Sequence, residues 1–254
     1  MIEKEKPNEF IQSFANGLTI IGAFDAENPK MTLSEVAAKC DMTRAMARRL
    51  LWTLEKLGYV ENAGRLFYLR PKILELGYAY LSSQRLITVA QPIMERLTEQ
   101  VQESCSMSVL DGLDIVYVIR IPTRRIMKIS LGVGTRLPAW ATSMGRVLLG
   151  GLEEAELDQY LAKIHPTSLT EYTVTDKKQL KKIIQDTKKQ GWGTVNQELE
   201  LGLCSAAVPI LNTLGKPIAA INIGTPSTAQ AMETLTAQYL PALLNTAGEI
   251  MRLM

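Results

Sequence analysis

Guanidinium groups near the start of the chain offer the clearest chemistry in this sequence. Arg44, Arg48 and Arg49 lie in a segment whose apolar residues recur at helical spacing, and Arg65 follows a short turn. Residues 43–57 also contain one lysine and only one acidic side chain. Guanidinium groups neutralise phosphates and donate paired hydrogen bonds to guanine, and a helix N-terminus favours anions. This cluster predicts a contact with DNA; a solvated helix face or a protein-docking surface is the alternative.

The sequence around these arginines predicts two helices joined by a tight turn. Thr32 and Glu35 have the spacing of a capping box, which would start the first helix. Thr43 is placed to cap the second helix and Gly58 to end it. The apolar residues of the second helix recur at steps of three and four and are expected to face inward; they are Met46, Ala47, Leu50, Leu51, Leu54 and Leu57.

A β-hairpin is predicted after the second helix. Residues 59–61 and 65–69 are β-prone and are joined by Asn62-Ala63-Gly64, with Arg65 at the tip. A leading helix over residues 10–24 would complete a three-helix head.

Three apolar side chains of that leading helix, Phe14, Leu18 and Ile21, are expected on its packed face, with Ile20 as a further candidate. The order of elements predicts a winged helix-turn-helix domain over residues 1–70. Arg44, Arg48 and Arg49 would contact groove and phosphates, Thr43 and Ala45 would approach the DNA closely, and Arg65 would make the wing contact.

The pattern changes after residue 70. Pro71 is suited to start a linker helix over residues 71–86, which could pair with a second subunit or simply dock on its own domain. Residues 87–254 read as an α/β domain. Its expected helices cover residues 88–103, 157–161, 176–190 and 228–254, the third capped by Thr175 and the last kinked at Pro241. Its expected strands cover residues 106–110, 115–121, 126–131, 203–211 and 217–224.

Whole-chain composition narrows the function classes. The 254 residues are 46% hydrophobic and 21% charged, with a net charge of only +2, so a DNA contact should be local. No basic-then-apolar leader and no bilayer-length apolar run occurs, which predicts no membrane partner and a cytoplasmic location. Three widely spaced cysteines, Cys40, Cys105 and Cys204, fit a reducing compartment and suggest no metal site.

Enzymatic chemistry has little support in the residues. The chain has one histidine, His165, in a polar connection where a surface role is expected. It has no phosphate-binding glycine motif, so no cofactor is expected. If the protein were nevertheless an enzyme, Glu198 or His165 would have to serve as acid or base.

A second chemical feature lies in residues 134–149. Pro138 precedes a run of small residues, and Thr142 or Ser143 is placed to start a helix. The first N–H groups of that helix, at Ser143, Met144 and Gly145, could bind an anion such as a carboxylate. An ordinary capped helix that only packs its leucines is the alternative.

Residues 33–37, 53–60, 138–149 and 202–209 together resemble the IclR family of bacterial transcription regulators, and the resemblance covers nearly the whole chain. Residues 10–18, 43–49, 118–127 and 141–146 are similar to the branch that senses protocatechuate and 4-hydroxybenzoate. The resemblance implies an α+β chain with a winged-helix head, a linker helix and a GAF-like effector-binding domain. It further implies homodimers or homotetramers on palindromic operator DNA, a small organic acid as effector, and RNA polymerase as a candidate partner.

The resemblance also suggests effector-site residues. The family's anion grip falls on Ser143 and Met144, and the polar residues of its facing strands fall on Ser205, Asn222 and Gly224. Its acidic loop falls on Asn196 and Glu198. The sequence departs from the branch at Asn196, where aspartate is common, and at Cys204, where arginine is common. Apolar walls are expected from Trp140, Met107, Val109, Met127 and Ile129, although core packing is the alternative for each.

These features predict a regulator of aromatic catabolism, often an activator in this branch, whose DNA binding responds to 4-hydroxybenzoate or protocatechuate. The alternative is a repressor of the same family that responds to a non-aromatic organic acid.

Overall fold

The computed structural model describes residues 9–123 and 131–254. The chain divides between Tyr80 and Leu81 into two compact units. The strand expected over residues 126–131, with Met127 and Ile129, falls outside the described residues except for its last position.

The first unit is a winged helix-turn-helix. Its helices are α1 (Gln12–Gly22), α2 (Leu33–Lys39) and α3 (Arg44–Lys56), and its strands are β1 (Met31–Thr32), β2 (Val60–Ala63) and β3 (Leu66–Leu69). The predicted capping box is confirmed, because the Thr32 hydroxyl accepts from Glu35 N–H while the Glu35 carboxylate accepts from Thr32 N–H. Strand β1 was not expected; it pairs antiparallel with β3 and makes the wing three-stranded.

Four apolar side chains of the head do not face inward as predicted. On α1, Phe14 is 68% exposed and Leu18 is 49% exposed, whereas Ile20 is fully buried. On α3, Met46 and Leu57 are exposed, and the buried stripe is the narrower set Ala47, Leu51 and Leu54. The spacing of the apolar residues covers a broader part of each helix than the part that the described residues bury.

The linker begins with a 3₁₀ turn, Pro71–Ile73, and continues as α4 (Leu74–Ser83). The start at Pro71 is as predicted, but none of the residues of α4 is buried. Leu74 and Tyr78 are each 71% exposed, so none of the residues in the ranges 9–123 and 131–254 covers this apolar surface fully.

The second unit is an α/β domain built on a six-stranded antiparallel sheet of order β6-β5-β4-β9-β8-β7. Its strands are β4 (Ser104–Asp111), β5 (Asp114–Ile121), β6 (Arg136–Pro138), β7 (Gly193–Asn196), β8 (Leu203–Leu211) and β9 (Pro217–Pro226). Its helices are α5 (Arg85–Val101), α6 (Ser143–Gly150), α7 (Glu154–Lys163), α8 (Lys177–Gln190), α9 (Ala231–Thr234) and α10 (Leu240–Leu253). The α+β fold class is confirmed.

The two faces of this sheet carry different cores. One face packs Met107, Ile119 and Ile221 against α5 and α10. The other face packs residues such as Tyr117 and Ala220 against α6, α7 and α8. Side chains alternate between faces along a strand, so neighbouring residues belong to opposite cores.

Two details of the second unit differ from expectation. Helix α8 is capped by Asp176, whose carboxylate accepts from Gln179 N–H at 2.7 Å, and not by Thr175. The C-terminal segment is not one kinked helix: α9 is followed by a π-helical turn, Leu235–Tyr239, and Pro241 lies in the first turn of α10. Proline fits there because the first turn needs no donor from it.

A buried ion pair ties α6 to the loop after β7. The Arg146 guanidinium, whose side chain is 2% exposed, donates to both carboxylate oxygens of Glu198, at 2.7 and 2.5 Å. Its Nε also donates to the Trp140 carbonyl at 3.1 Å, while Val174 N–H donates to Glu198 at 3.2 Å. Bidentate geometry and these extra hydrogen bonds satisfy charges that would otherwise be costly to bury.

We expect Glu198→Gln to lower the free energy of unfolding by about 3–5 kcal/mol, because it leaves the Arg146 charge buried and uncompensated. Urea unfolding followed by tryptophan fluorescence, to which the buried Trp140 contributes, would measure this.

The matched control for Glu198→Gln is Asp111→Asn, which breaks the exposed pair between Asp111 and Arg136 and should have a much smaller effect. An equal loss of stability in both variants would contradict a special structural role for the buried pair between Arg146 and Glu198.

Candidate DNA-reading face and effector site

The predicted DNA contacts lie on the exposed side of α3 and on the wing. Thr43, Arg44, Ala45, Arg48 and Arg49 are all exposed. Within the described ranges, no ion pair or side-chain hydrogen bond joins the three guanidiniums to another residue. They are therefore available to an anionic partner.

The start of α3 is capped as predicted. The Thr43 hydroxyl accepts from Met46 N–H at 3.2 Å, which fixes the direction of the helix relative to the turn after α2. On the wing, Gly64 has a φ of 74°, a backbone conformation that glycine adopts without strain, and exposed Arg65 follows it. Sequence reasoning thus found cations on two separate elements of one unit.

The second unit contains a cavity between the sheet and the start of α6. It is lined by Tyr117, Arg120, Leu131, Ala141, Thr142, Ser143, Val195, Leu199, Leu203, Ser205, Asn222 and Gly224. The cavity volume is about 30 Å³, although the whole cleft with its open mouth measures about 480 Å³. The closed part holds only a few water molecules.

A polar row crosses the sheet beneath this cavity. Arg120 pairs with Ser106 across β5 and β4, and Ser106 pairs with Asn222 across β4 and β9. The Arg120 guanidinium donates to the Ser106 hydroxyl at 2.9 Å. Burial lowers the pKa of Arg120, which shows that its charge is partly removed from water.

Asn222 contributes a buried acceptor to the same row. Its side chain is 8% exposed, and its Oδ1 accepts no hydrogen bond from any described residue. A buried polar oxygen without a partner is costly. Because the residue lines the cavity, a bound molecule with a donor group could supply the missing hydrogen bond.

The start of α6 offers donors at the other side of the cavity. The Thr142 hydroxyl caps the helix by accepting from Gly145 N–H at 3.0 Å, so this predicted anion donor already has a partner within the chain. Ser143 N–H and Met144 N–H donate to no other described residue. The hydroxyls of Ser143 and Ser205 lie 2.9 Å apart, which joins α6 to β8.

Gly145 has a packing role. A Cβ atom at this position would lie 2.0 Å from the Ala139 carbonyl oxygen. Only glycine therefore lets the first turn of α6 pass so close to the preceding turn.

Several residues predicted at the effector site lie elsewhere. Met144 and Trp140 are buried in the α6 core and do not line the cavity, and Asn196 is exposed. Glu198 is held by Arg146. Met107 packs against α5 and α10 on the opposite face of the sheet, as does Val109. Of the predicted set, the structure brings together Ser143, Ser205, Asn222 and Gly224.

Tyr117 and Arg120 are two of the cavity residues that the sequence did not predict. A β-bulge between Met107 and Ser108 shifts the register with β5, so that Ser106 faces Arg120 but Ser108 faces Tyr117. The bulge puts both side chains on the cavity face although they are three residues apart. Burial raises the pKa of Tyr117 to about 12, so its hydroxyl stays neutral. One feature of the sequence could have indicated Arg120 as a site residue: it is an arginine inside an otherwise apolar strand.

In the described part of the chain, no helix is both long enough and apolar enough to cross a membrane.

Comparison with known proteins assigns both units. Residues 13–64 match the model of the IclR helix-turn-helix domain, and residues 78–252 match that of the bacterial transcriptional regulator IclR C-terminal domain. The chain is 40% identical over 243 residues to the Pca regulon regulatory protein of Pseudomonas putida, covering 95% of this chain and 84% of that protein. It is 34% identical to the p-hydroxybenzoate hydroxylase transcriptional activator of Acinetobacter baylyi, covering 99% of this chain and 94% of that protein.

Solved structures share the same fold. A transcriptional regulator from Rhodococcus sp. RHA1 is similar with a TM-score of 0.85 and 50% identity, covering 96% of this chain and 98% of that one. An IclR homologue from Microbacterium hydrocarbonoxydans, solved with 4-hydroxybenzoate, has a TM-score of 0.82 at 23% identity and covers 95% of this chain and 100% of that one. Because the two family models together match most of its residues, the chain belongs to the IclR family of bacterial transcriptional regulators, a family of regulators and not of enzymes.

Proposed function

We propose that this regulator controls genes of aromatic catabolism and that its effector is a small hydroxylated aromatic carboxylate, such as 4-hydroxybenzoate or protocatechuate. The observation that carries the proposal is a cavity that combines a half-buried cation, Arg120, with a buried acceptor, Asn222 Oδ1, that accepts from no described residue. The names of the relatives from Pseudomonas putida and Acinetobacter baylyi point to the same chemistry.

The carboxylate of the effector is placed at the start of α6. Ser143 N–H and Met144 N–H are the donors there that bond no other described residue, and Ser143 and Ser205 add hydroxyl groups. The helix N-terminus favours negative charge. The partly buried charge of Arg120 makes the whole cavity favourable for an anion, because screening by water is weak there.

The hydroxyl group of the effector is placed at Asn222. Gly224 pairs with Ser205 beside the start of α6, and Asn222 is two residues earlier on the same strand and the same face. Two residues of an antiparallel strand span about 7 Å. This is comparable with the length of a para-substituted benzoate, so one molecule could bridge both groups.

Apolar side chains are available for the ring between these two polar ends. Leu131, Val195, Leu199 and Leu203 line the cavity. Because the closed volume is about 30 Å³, an aromatic ring can enter only if some of these side chains move apart. The effector would therefore favour a widened arrangement of the domain over the closed one, which is the differential affinity that regulation requires.

The DNA partner is a palindromic operator contacted through Arg44, Arg48, Arg49 and Arg65. A single α3 helix reads few base pairs, so we infer a homodimer or homotetramer that presents several copies. The head would comprise residues 1–70, the linker residues 71–86 and the effector domain residues 87–254. Since one relative is named an activator, contact with RNA polymerase is part of the proposal.

The small closed volume also favours a second candidate. A short non-aromatic acid such as pyruvate would need less rearrangement of the cavity than a benzoate. Pyruvate has no hydroxyl group that could donate to Asn222 Oδ1, whereas a hydroxylated benzoate has one. This difference separates the two candidates.

We expect Arg48→Ala to weaken operator binding by roughly 10- to 100-fold, because it removes one guanidinium from the groove or phosphate contact. Gel-shift titration of the full chain against a selected operator would measure it. Lys182→Ala, on the exposed side of α8, is the control and should bind like the wild type. If the Arg48 variant bound the operator as tightly as the wild type, Arg48 would not be a DNA contact.

Calorimetric titration with 4-hydroxybenzoate, protocatechuate, benzoate and pyruvate tests the effector and the role of Asn222. The wild type should bind 4-hydroxybenzoate at least about 10-fold more tightly than benzoate, because only the hydroxylated ligand supplies a donor to the buried oxygen. Asn222→Leu should bring the two affinities close together.

The control for Asn222→Leu is Asn196→Leu, an exposed asparagine outside the cavity, which should preserve the preference for 4-hydroxybenzoate. Tight binding of pyruvate with no binding of either benzoate would establish the second candidate instead.

The charge of Arg120 should decide between acids and their neutral analogues. We expect the wild type to prefer 4-hydroxybenzoate to its methyl ester by about 10-fold or more, since charge-assisted contacts are about twice as strong as neutral ones. Arg120→Gln should reduce that preference, whereas Arg136→Gln, which alters an exposed arginine, should not. If the Arg120 variant still preferred the acid to its methyl ester by the same factor, the charge of Arg120 would not act on the carboxylate.

A further inference from the structure

Trp52 is a large aromatic side chain on the exposed side of α3. It is 60% exposed, whereas Ala47 and Leu54, which lie about 140° and 160° around the same helix, are buried. An indole ring in this position leaves a considerable apolar area in water. The head offers no apolar partner for it in the described structure.

Three cations and one acidic residue, Glu55, lie on the side of α3 that carries this ring. Arg48, Arg49 and Lys56 are four, three and four residues away, so all three share its side of the helix. The Lys56 ammonium nitrogen lies 5.6 Å from the centre of the indole ring. Ala45, two helical turns before Trp52, continues the same face toward the helix start.

We propose that Trp52 reads the operator by packing its indole ring against the C5-methyl group of a thymine in the major groove. This rests on the proposed reading face of α3. A surface that surrounds an aromatic ring with positive charge complements a polyanion and repels another copy of itself. In the major groove the thymine methyl is the apolar group that a base pair presents, and apolar side chains contact it.

The consequence is a specificity contact of a different kind from the arginine contacts. Arg48 and Arg49 contribute charge, and each phosphate that they neutralise adds to the salt dependence of binding. Trp52 neutralises no phosphate. Its loss should therefore lower affinity and relax preference for thymine at one position in each half-site, while the slope of affinity against salt stays the same.

The experiment uses full-length protein and an operator selected from random DNA by the wild type. Each thymine of that operator is replaced in turn by uracil, which removes only the methyl group, and binding is measured by fluorescence anisotropy at several salt concentrations. The wild type should lose roughly 3- to 10-fold in affinity at one thymine of each half-site. Trp52→Ala should bind the thymine and uracil operators equally, with an unchanged salt slope.

Leu57→Ala is the matched control. Leu57 is also an exposed apolar residue at the end of α3, but it lies about 140° around the helix from Trp52. It should keep the full sensitivity to uracil. Circular dichroism and sedimentation of both variants verify that fold and assembly are retained.

Two results would overturn the inference. One is a Trp52 variant that keeps the wild-type loss at the same thymine. The other is a Trp52 variant that dissociates into smaller species, which would mean that a second copy of the chain covers the ring. If Arg48→Ala also left DNA binding unchanged, the reading face itself would be refuted; a failure confined to the uracil series would refute only the role of Trp52.

Discussion

The alternation of side chains along β4 and β9 is the constraint on which the effector domain depends. Consecutive residues must point to opposite faces of the sheet, so Met107 and Ile221 enter the apolar core under α5 and α10 while Ser106 and Asn222 face α6. The first set stabilises the sheet by excluding water. The second set is polar and does not exclude water. Because it lies on the other face, the same strands can hold this polar row without weakening the apolar core.

Helix α6 completes this arrangement because it is held in place by contacts at several points. Thr142 caps its start, Gly145 lets it approach the Ala139 carbonyl, and Arg146 ties it to Glu198. An anion that bound at Ser143, as proposed, would therefore meet a helix start whose position is already fixed. Preorganised donors lose little entropy on binding, so their interaction energy is available for selecting the ligand.

The head could be predicted from sequence to a large extent, because its signals are local. The capping box at Thr32 and the N-cap at Thr43 depend on neighbours within three residues, and the structure has both. Exposure could not be predicted in the same way: Phe14 and Leu57 have the spacing of core residues but are exposed in the part of the chain that the structure describes.

The candidate site was harder to predict because it depends on long-range pairing. Glu198 was expected to contact the effector, yet its partner is Arg146, 52 residues earlier, which no local pattern reveals. The β-bulge opposite Tyr117 and Arg120 changes which residues of β5 face the cavity, and a bulge leaves no reliable mark in the sequence. The helix start predicted Ser143 from the residues themselves, whereas Ser205, Asn222 and Gly224 were located by family resemblance, and residue spacing alone would not have brought these three together with it.

The buried oxygen of Asn222 links stability to selectivity in this domain. An acceptor that lacks a hydrogen bond raises the free energy of the empty domain, and a ligand donor that reaches it removes that cost. A ligand of the same shape without the donor would bury the oxygen further and leave it unsatisfied. If the effector binds as proposed, the site would discriminate against the wrong ligand more strongly than it attracts the right one, because neutral apolar packing alone separates two similar rings only weakly.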